Sequence, residues 1–455
     1  MARIAYIIPI VLAVASGAAA QDPDPRLKPS LKPAEVKRLN TLAKKWIAAE
    51  LRWDEEPRHR KTRDRERAKF MAELEKKSRK TDALASVGNL LSMFDQVFPY
   101  KKNKTFGIIK EFKDPRHFLL GPKAYDSKKK FASVLVLPSW NEKKSAWTTA
   151  KAHVEATWKS SALTKSTFVV LPELRKGDDY NKVPEQTPKG HIDEKERIRG
   201  VLGAFGAVQR NFRLDRQKMF IDCGDGTSGF GLRLLSYFPS RFAGAILRAP
   251  TDQGKLALDS LAGLPLLLIS TENTKATCDK IKSTLDALHT ESQVSIVGYD
   301  ADPAKMAAAV DEWMKGKVKR LYPSKVLLSP THDAFHKAYW VEIIACEPID
   351  SIGPKEKLFL NVSSDREKNR VTISSEGVSE IGLYLNDYLL DLDKEVTFVV
   401  NGKEIKGTKF QRSIRTIERY MRRAYDPTAL YTAYHRIEIP KPEQKAEEGR
   451  KGEGK

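Results

Sequence analysis

The chain has 455 residues, 80 Lys+Arg against 59 Asp+Glu, a formal charge of +21 and a pI near 9.6, enough length for one large domain with appendages or for two domains. The positive charge is spread along the chain without interleaved stacking aromatics, which argues against nucleic acid and leaves anionic cell-envelope polymers as the candidate electrostatic partner. Three cysteines, Cys223, Cys278 and Cys346, are too few for a disulfide framework and read as small buried apolar side chains.

Residues 1–20 read as a signal peptide: Arg3, an apolar run over 4–15, and Ala18-Ala19-Ala20 place cleavage near Ala20/Gln21. The run is too short to span a bilayer, so the mature chain is expected to be secreted or periplasmic, without a transmembrane segment. Residues 21–105 form a helical N-terminal extension. Pro33 leads a helix whose Val36, Leu39, Leu42, Trp46, Ile47 and Leu51 make an apolar stripe. Residues 55–80 form a charged, solvated helix. Thr81 or Asp82 is expected to cap a third, apolar helix with Leu84, Val87, Leu90, Leu91, Phe94 and Val97. These helices are expected to pack on the main domain.

Over 106–320 strands and helices alternate, which predicts a mostly parallel sheet covered on both faces. The strands are 131–137, 168–171, 219–221, 245–247, 264–269 and 294–297; the helices are 196–211, 275–289 and 304–315. Over 321–440 the strands become short (339–344, 358–362, 371–374, 381–385, 396–400), and Asn401-Gly402 marks a hairpin into 403–409. This pattern predicts an antiparallel β-sandwich. Residues 441–455 make a disordered charged tail.

Residues 219–242 carry the most information. An apolar strand enters a Gly-rich turn, and Leu232, Leu234, Leu235 and Phe238 follow at helical spacing until Pro239. This segment resembles the nucleophile elbow of the α/β-hydrolase superfamily, in its secreted bacterial esterase, depolymerase and prolyl-oligopeptidase-like branch. Pro239-Ser240-Arg241-Phe242-Ala243-Gly244 stands where that family often has PDRFAG, and an ungapped alignment sets Asp225 at the nucleophile position, within Cys223-Gly224-Asp225-Gly226-Thr227. The resemblance implies an α/β-hydrolase fold, doubly wound and mostly parallel. It also implies a catalytic triad in the order nucleophile, acid, His.

The stations of that triad are altered. Thr274, in Thr271-Glu272-Asn273-Thr274, occupies the acid position; the loop Gly298-Tyr299-Asp300-Ala301-Asp302-Pro303 holds no His; the early oxyanion loop is Pro138-Ser139-Trp140. The expected function is therefore that of an exported, catalytically degenerate hydrolase acting in binding or scaffolding. Its cleft would be lined by Trp140, Asp225, Thr227, Ser228 and Thr274, and a buried Asp225 carboxylate would favour a cationic or hydroxyl-rich small-molecule or polymer ligand. A plainer role for Asp225 is to stabilise the helix N-terminus behind it.

Two alternatives remain. One is an active ester or peptide hydrolase with a rearranged site: Asp225 or a displaced Ser228 as nucleophile, the Gly226 amide as oxyanion donor, and His332, His336 or Glu272 as base. The other is a basic adhesion protein for anionic envelope polymer. No cofactor and no metal are expected, because His117, His153, His191 and His289 stand isolated.

Overall fold

The computed structural model describes residues 30–440 apart from 82, 102, 103, 107, 140–144, 184, 186, 253–257, 289–291, 350–357, 425 and 427. The signal-peptide and tail assignments therefore lie outside the described residues, as do Trp140 and His289.

The central sheet has eight strands: β1 (Lys110–Lys113), β2 (Arg116–Leu120), β3 (Phe131–Leu137), β4 (Thr167–Pro172), β5 (Leu214–Cys223), β6 (Gly244–Arg248), β7 (Leu266–Ser270) and β8 (Val294–Gly298). Their spatial order is β8-β7-β6-β5-β3-β4-β2-β1. The strands from β3 to β8 are parallel, whereas β2 runs antiparallel to both β1 and β4. That order, with one antiparallel strand near the edge and the β3/β4 exchange, is the α/β-hydrolase fold. The parallel strands read as unbroken apolar runs because both of their faces are covered. Helices α5 (Pro188–Asn211), α6 (Ser228–Tyr237) and α7 (Lys275–Leu288) pack on one face, where Phe205, Leu235 and Ile281 join Ile221 and Leu268. Helices α4 (Ala146–Thr157) and α8 (Pro303–Met314) cover the other, where Val154, Val310 and Trp313 meet Val134 and Ile246.

The C-terminal region is the expected sandwich. One sheet has the order β9 (Lys325–Leu328), β12 (Phe359–Asp365), β13 (Arg370–Glu376), β15 (Val396–Val400), β16 (Lys403–Thr408); the other has β10 (Lys337–Ala338), β11 (Val341–Cys346), β14 (Val378–Leu385), β17 (Ala433–Glu438). Asn401 (φ 47°) and Gly402 (φ 83°) form the tight β15–β16 turn, the left-handed pair that Asn-Gly accepts at least cost. One pair departs from the antiparallel rule: β13 and β15 are parallel. The chain spends β14 in the opposite sheet, so it re-enters the first sheet in its original direction. A last helix, α9 (Ile414–Ala424), precedes β17.

The N-terminal helices α1 (Pro33–Glu55), α2 (Arg60–Thr81) and α3 (Val87–Met93) correct two expectations. Thr81 continues α2, and it is Ser86 that caps α3, its hydroxyl accepting from the Asn89 amide at 3.2 Å. Nor do the helices bury their stripe against the parallel sheet. Leu39, Trp46, Phe70 and Phe94 share one hydrophobic core with Leu360, Val371, Tyr384 and Leu430 of the sandwich, and Arg67 of α2 pairs with the buried Glu418 of α9. Contacts of this N-terminal region with the parallel-sheet domain include Asp95 with Lys130 at 2.9 Å, the Lys101 amide with the Asn211 carbonyl at 2.8 Å, and Arg216 over the Phe98 ring at 4.9 Å.

Trp46 is 1% exposed, stacks on Phe70 at 5.4 Å and meets Phe94 edge-on at 6.3 Å. Trp46→Ala is expected to destabilise the protein by about 3–5 kcal/mol in urea unfolding, as large aromatic truncations in sealed cores do. A loss under ~1 kcal/mol would place Trp46 outside the shared core.

Candidate functional site

Strand β5 ends at Cys223, and α6 starts five residues later, at Ser228. The turn between them docks on the end of β3. The Gly224 amide donates to the Leu137 carbonyl at 2.8 Å, and the Thr227 hydroxyl donates to the same carbonyl at 2.6 Å. Gly224 must lack a side chain: a Cβ there would lie 2.7 Å from the Ser139 amide nitrogen. Gly231, one turn into α6, lets the helix close on the Cys223 sulfur. Small residues flank the turn because backbones meet there, as the elbow resemblance requires.

The turn itself is relaxed. Non-glycine residues with positive φ among the described residues are Gln96, Ala249, Tyr339, Asn369 and Asn401; Asp225 is not one of them. A nucleophile elbow owes its projecting side chain to a strained backbone, and this one carries no such strain. Asp225 is exposed, contrary to the expectation of a buried carboxylate. Its Oδ1 accepts from the Gly226 amide at 2.8 Å and from the Ser139 hydroxyl. The proposed oxyanion donor, Gly226, is thus already engaged by the residue at the nucleophile position, and Asp225, two residues before the Thr227 N-cap, sets its negative charge beside the α6 N-terminus.

The other expected residues separate. Thr227 is fully buried and points into the sheet, so it does not line a cleft. Ser228 is also buried, its hydroxyl 3.4 Å from the carbonyls of Asp225 and Ala249. Thr274 accepts from the Thr271 amide at 3.0 Å, an end-of-helix contact, and Glu272 is exposed beside it. His332 does not return over the elbow. Its Nε2 lies 3.0 Å from the His191 carbonyl and its ring stacks on His191 at 4.7 Å, against α5. Cys223 offers no thiolate, because burial, seconded by Asp222, pushes its pKa far up.

Sequence reasoning missed two groups. Asn181 clamps the elbow: its Nδ2 donates to the Asp225 carbonyl at 2.7 Å, and its Oδ1 accepts from the Gly229 amide at 2.8 Å. Behind the turn lies a polar cluster. Asp222, with no exposure at all, accepts from Arg248 Nε at 2.8 Å and Nη2 at 3.0 Å, and from Trp158 Nε1 at 2.9 Å. His153, on α4, faces this pair with a buried Nε2 that has no partner among the described residues. Burial pushes its pKa down to about 4, helped by Arg248 and opposed by the carboxylates of Asp222 and Asp225. His153 is therefore neutral at pH 7, and no hydrogen bond joins it to Asp225 or Ser228 among the described residues. One signal for the cluster stood in the sequence: an acid inside an apolar parallel strand must find a cation. No group of His, Cys, Asp or Glu among the described residues could hold a metal ion. No described helix is long and apolar enough to cross a membrane.

No protein-family model matches the chain, and no curated protein matches it. Among solved structures the chain is similar to α/β-hydrolase esterases and peptidases. A thermostable esterase is 14% identical with a TM-score of 0.35, the match covering 47% of this chain and 63% of that one. The Bacillus cereus carboxylesterase is 15% identical with a TM-score of 0.31, over 46% and 93% of the two chains. An S-formylglutathione hydrolase of Staphylococcus aureus is 14% identical with a TM-score of 0.31, over 47% and 96%. The chain thus spans 63% of the thermostable esterase's length. The fold assignment rests on the strand order of the sheet rather than on these overlaps.

The unfolded chain protonates His153 near pH 6.5, the native protein only near pH 4. As pH falls through that window the unfolded state takes up a proton that the native state refuses, so stability present above pH 6.5 is lost towards pH 4. The loss is expected to reach roughly 3 kcal/mol. Urea unfolding at pH 7, 5 and 4 should show a shallower decline for His153→Gln than for the native chain; identical declines would refute the assignment.

Proposed function

We propose that this protein is an exported α/β-hydrolase-fold protein that has lost catalysis and acts by binding or scaffolding. The observation that carries the reading is the bond from the Gly226 amide to the Asp225 carboxylate at 2.8 Å. A hydrolase needs that amide for the charge that develops on the substrate oxygen, and needs the nucleophile turned towards the substrate. Here each group satisfies the other. The unstrained turn, Thr274 in place of an acid, and a neutral His153 with no hydrogen bond to Asp225 support the same conclusion. Loss of one member of a cooperating triad already costs on the order of 10⁴–10⁶ in turnover.

The test is hydrolysis of short-chain p-nitrophenyl esters by the mature chain, by Asp225→Ala and by Asp225→Ser. All three are expected to stay at the level of a serum-albumin control. The serine variant is included because it restores the family's nucleophile without restoring a base or the strained turn. Turnover above the control that vanishes in Asp225→Ala would overturn the reading and make Asp225 catalytic.

A further inference from the structure

A second site lies away from the elbow, at the seam between the parallel-sheet domain and the sandwich. A cavity of about 290 Å³ opens there. Arg216 of β5 and Arg241, in the turn after α6, line one wall. Lys319 and Arg320 come from the connector, and Lys337 comes from β10. The carboxylate in the lining is that of Asp426, and the guanidinium groups of Arg216 and Arg241 share the cavity with it.

That carboxylate is already spent. Its Oδ2 binds Lys319 Nζ at 2.6 Å, and its Oδ1 accepts from the Thr428 amide at 2.9 Å and hydroxyl at 2.6 Å. Lys319 is 4% exposed and Arg216 7%. The Lys337 ammonium lies 3.9 Å from the centre of the Tyr384 ring and 4.4 Å from that of Tyr420, and Arg216 lies 4.9 Å from the Phe98 ring. The Nε of Arg241 is sealed from solvent with no hydrogen-bond partner among the described residues, and so is the Nε2 of His336 on the same cavity. Burial, then Arg216, pulls the Arg241 pKa down to about 10 against the pull of Asp426. An uncompensated guanidinium in such a place costs stability unless an anion shares it.

We propose that this seam cavity binds a small divalent oxyanion, a phosphate or sulfate, free or as the monoester of a ring-sized group. A guanidinium presents a planar fork that suits such an anion, and the ammonium groups add charge without fixed direction. The walls of Tyr237, Phe335, Tyr339 and Tyr420 offer apolar faces for an attached ring. The site uses none of the elbow residues, so it stands whether or not the elbow is inert. Because its cations come from both sides of the seam, a bound anion also ties the two domains together and stabilises the native state.

The experiment is isothermal titration of the full mature chain with inorganic phosphate, sulfate and phenyl phosphate at pH 7 and constant ionic strength, sodium chloride serving as control. Saturable binding of one equivalent is expected from at least one oxyanion and none from chloride. Tighter binding of phenyl phosphate would identify a monoester ligand; equal binding would identify the free ion. Arg241→Gln is expected to weaken binding at least about tenfold, the loss typical of one charged hydrogen-bonding group. Arg241→Lys, which keeps the charge and loses the fork, should fall between. Asp225→Ala should bind like the native chain. If Arg241→Gln does not fold, Arg241→Lys and Lys337→Gln decide the matter in its place. No saturable heat from any oxyanion, or native affinity in the folded variants of this cavity, would overturn the proposal.

Discussion

A carboxylate placed inside a parallel sheet has to bring its counter-charge with it. Asp222 sits at full burial one residue before the end of β5, and Arg248 at the end of the adjacent β6 meets it with two nitrogens. Trp158, just past α4, completes the set. Removing water from such a pair is costly, and the cost is met only when every oxygen is bonded. Three elements are therefore held in mutual register at the end of the sheet where a hydrolase would do its chemistry. His153 arrives with α4 into the same sealed volume, and its neutrality follows from that sealing.

In front of this cluster the turn keeps the close packing of an elbow. Gly224 and Gly231 still allow β3, β5 and α6 to approach closely. The chain itself satisfies the amides at this turn: the Asp225 carboxylate accepts from Gly226, and the neutral side-chain oxygen of Asn181 accepts from Gly229 in the first turn of α6. A turn satisfied from within needs no strain to hold it, which agrees with the ordinary backbone of Asp225. Close packing holds the strand-turn-helix unit, and local hydrogen bonding satisfies the polar groups at its tip.

Much of the fold was legible because buried parallel strands announce themselves as unbroken apolar runs, as residues 131–137 do. The elbow was legible because its small residues and the segment from Pro239 to Gly244 stand at the spacing of a family pattern. The Asn401-Gly402 turn was legible from two residues alone. Other features depended on partners far away in the chain. His153, Asp222 and Arg248 come from separate elements and cannot be paired by spacing. The burial of Asp225 was misjudged because exposure at a turn is set by what packs over it. The cap of α3 moved to Ser86 because the polar helix before it kept winding through Thr81, where its charged surface needs no apolar support. The parallel β13–β15 pair follows from a strand that changes sheets, which local pattern does not encode.

The shared core of the N-terminal helices and the sandwich has a consequence for how the chain comes to exist. Residues of that one core, such as Trp46 and Leu360, are separated in sequence by the whole parallel-sheet domain. A chain emerging from its N-terminus completes that domain while the apolar stripe of α1 still lacks its lasting cover. The two halves of the core meet only after the sandwich strands have been made, and closing so long a loop is slow compared with local pairing. The parallel-sheet domain is in effect an insert within a second, discontinuous folding unit. A fragment cut at either end of the insert would carry a bare apolar face, so the helices and the sandwich stand or fall as one body.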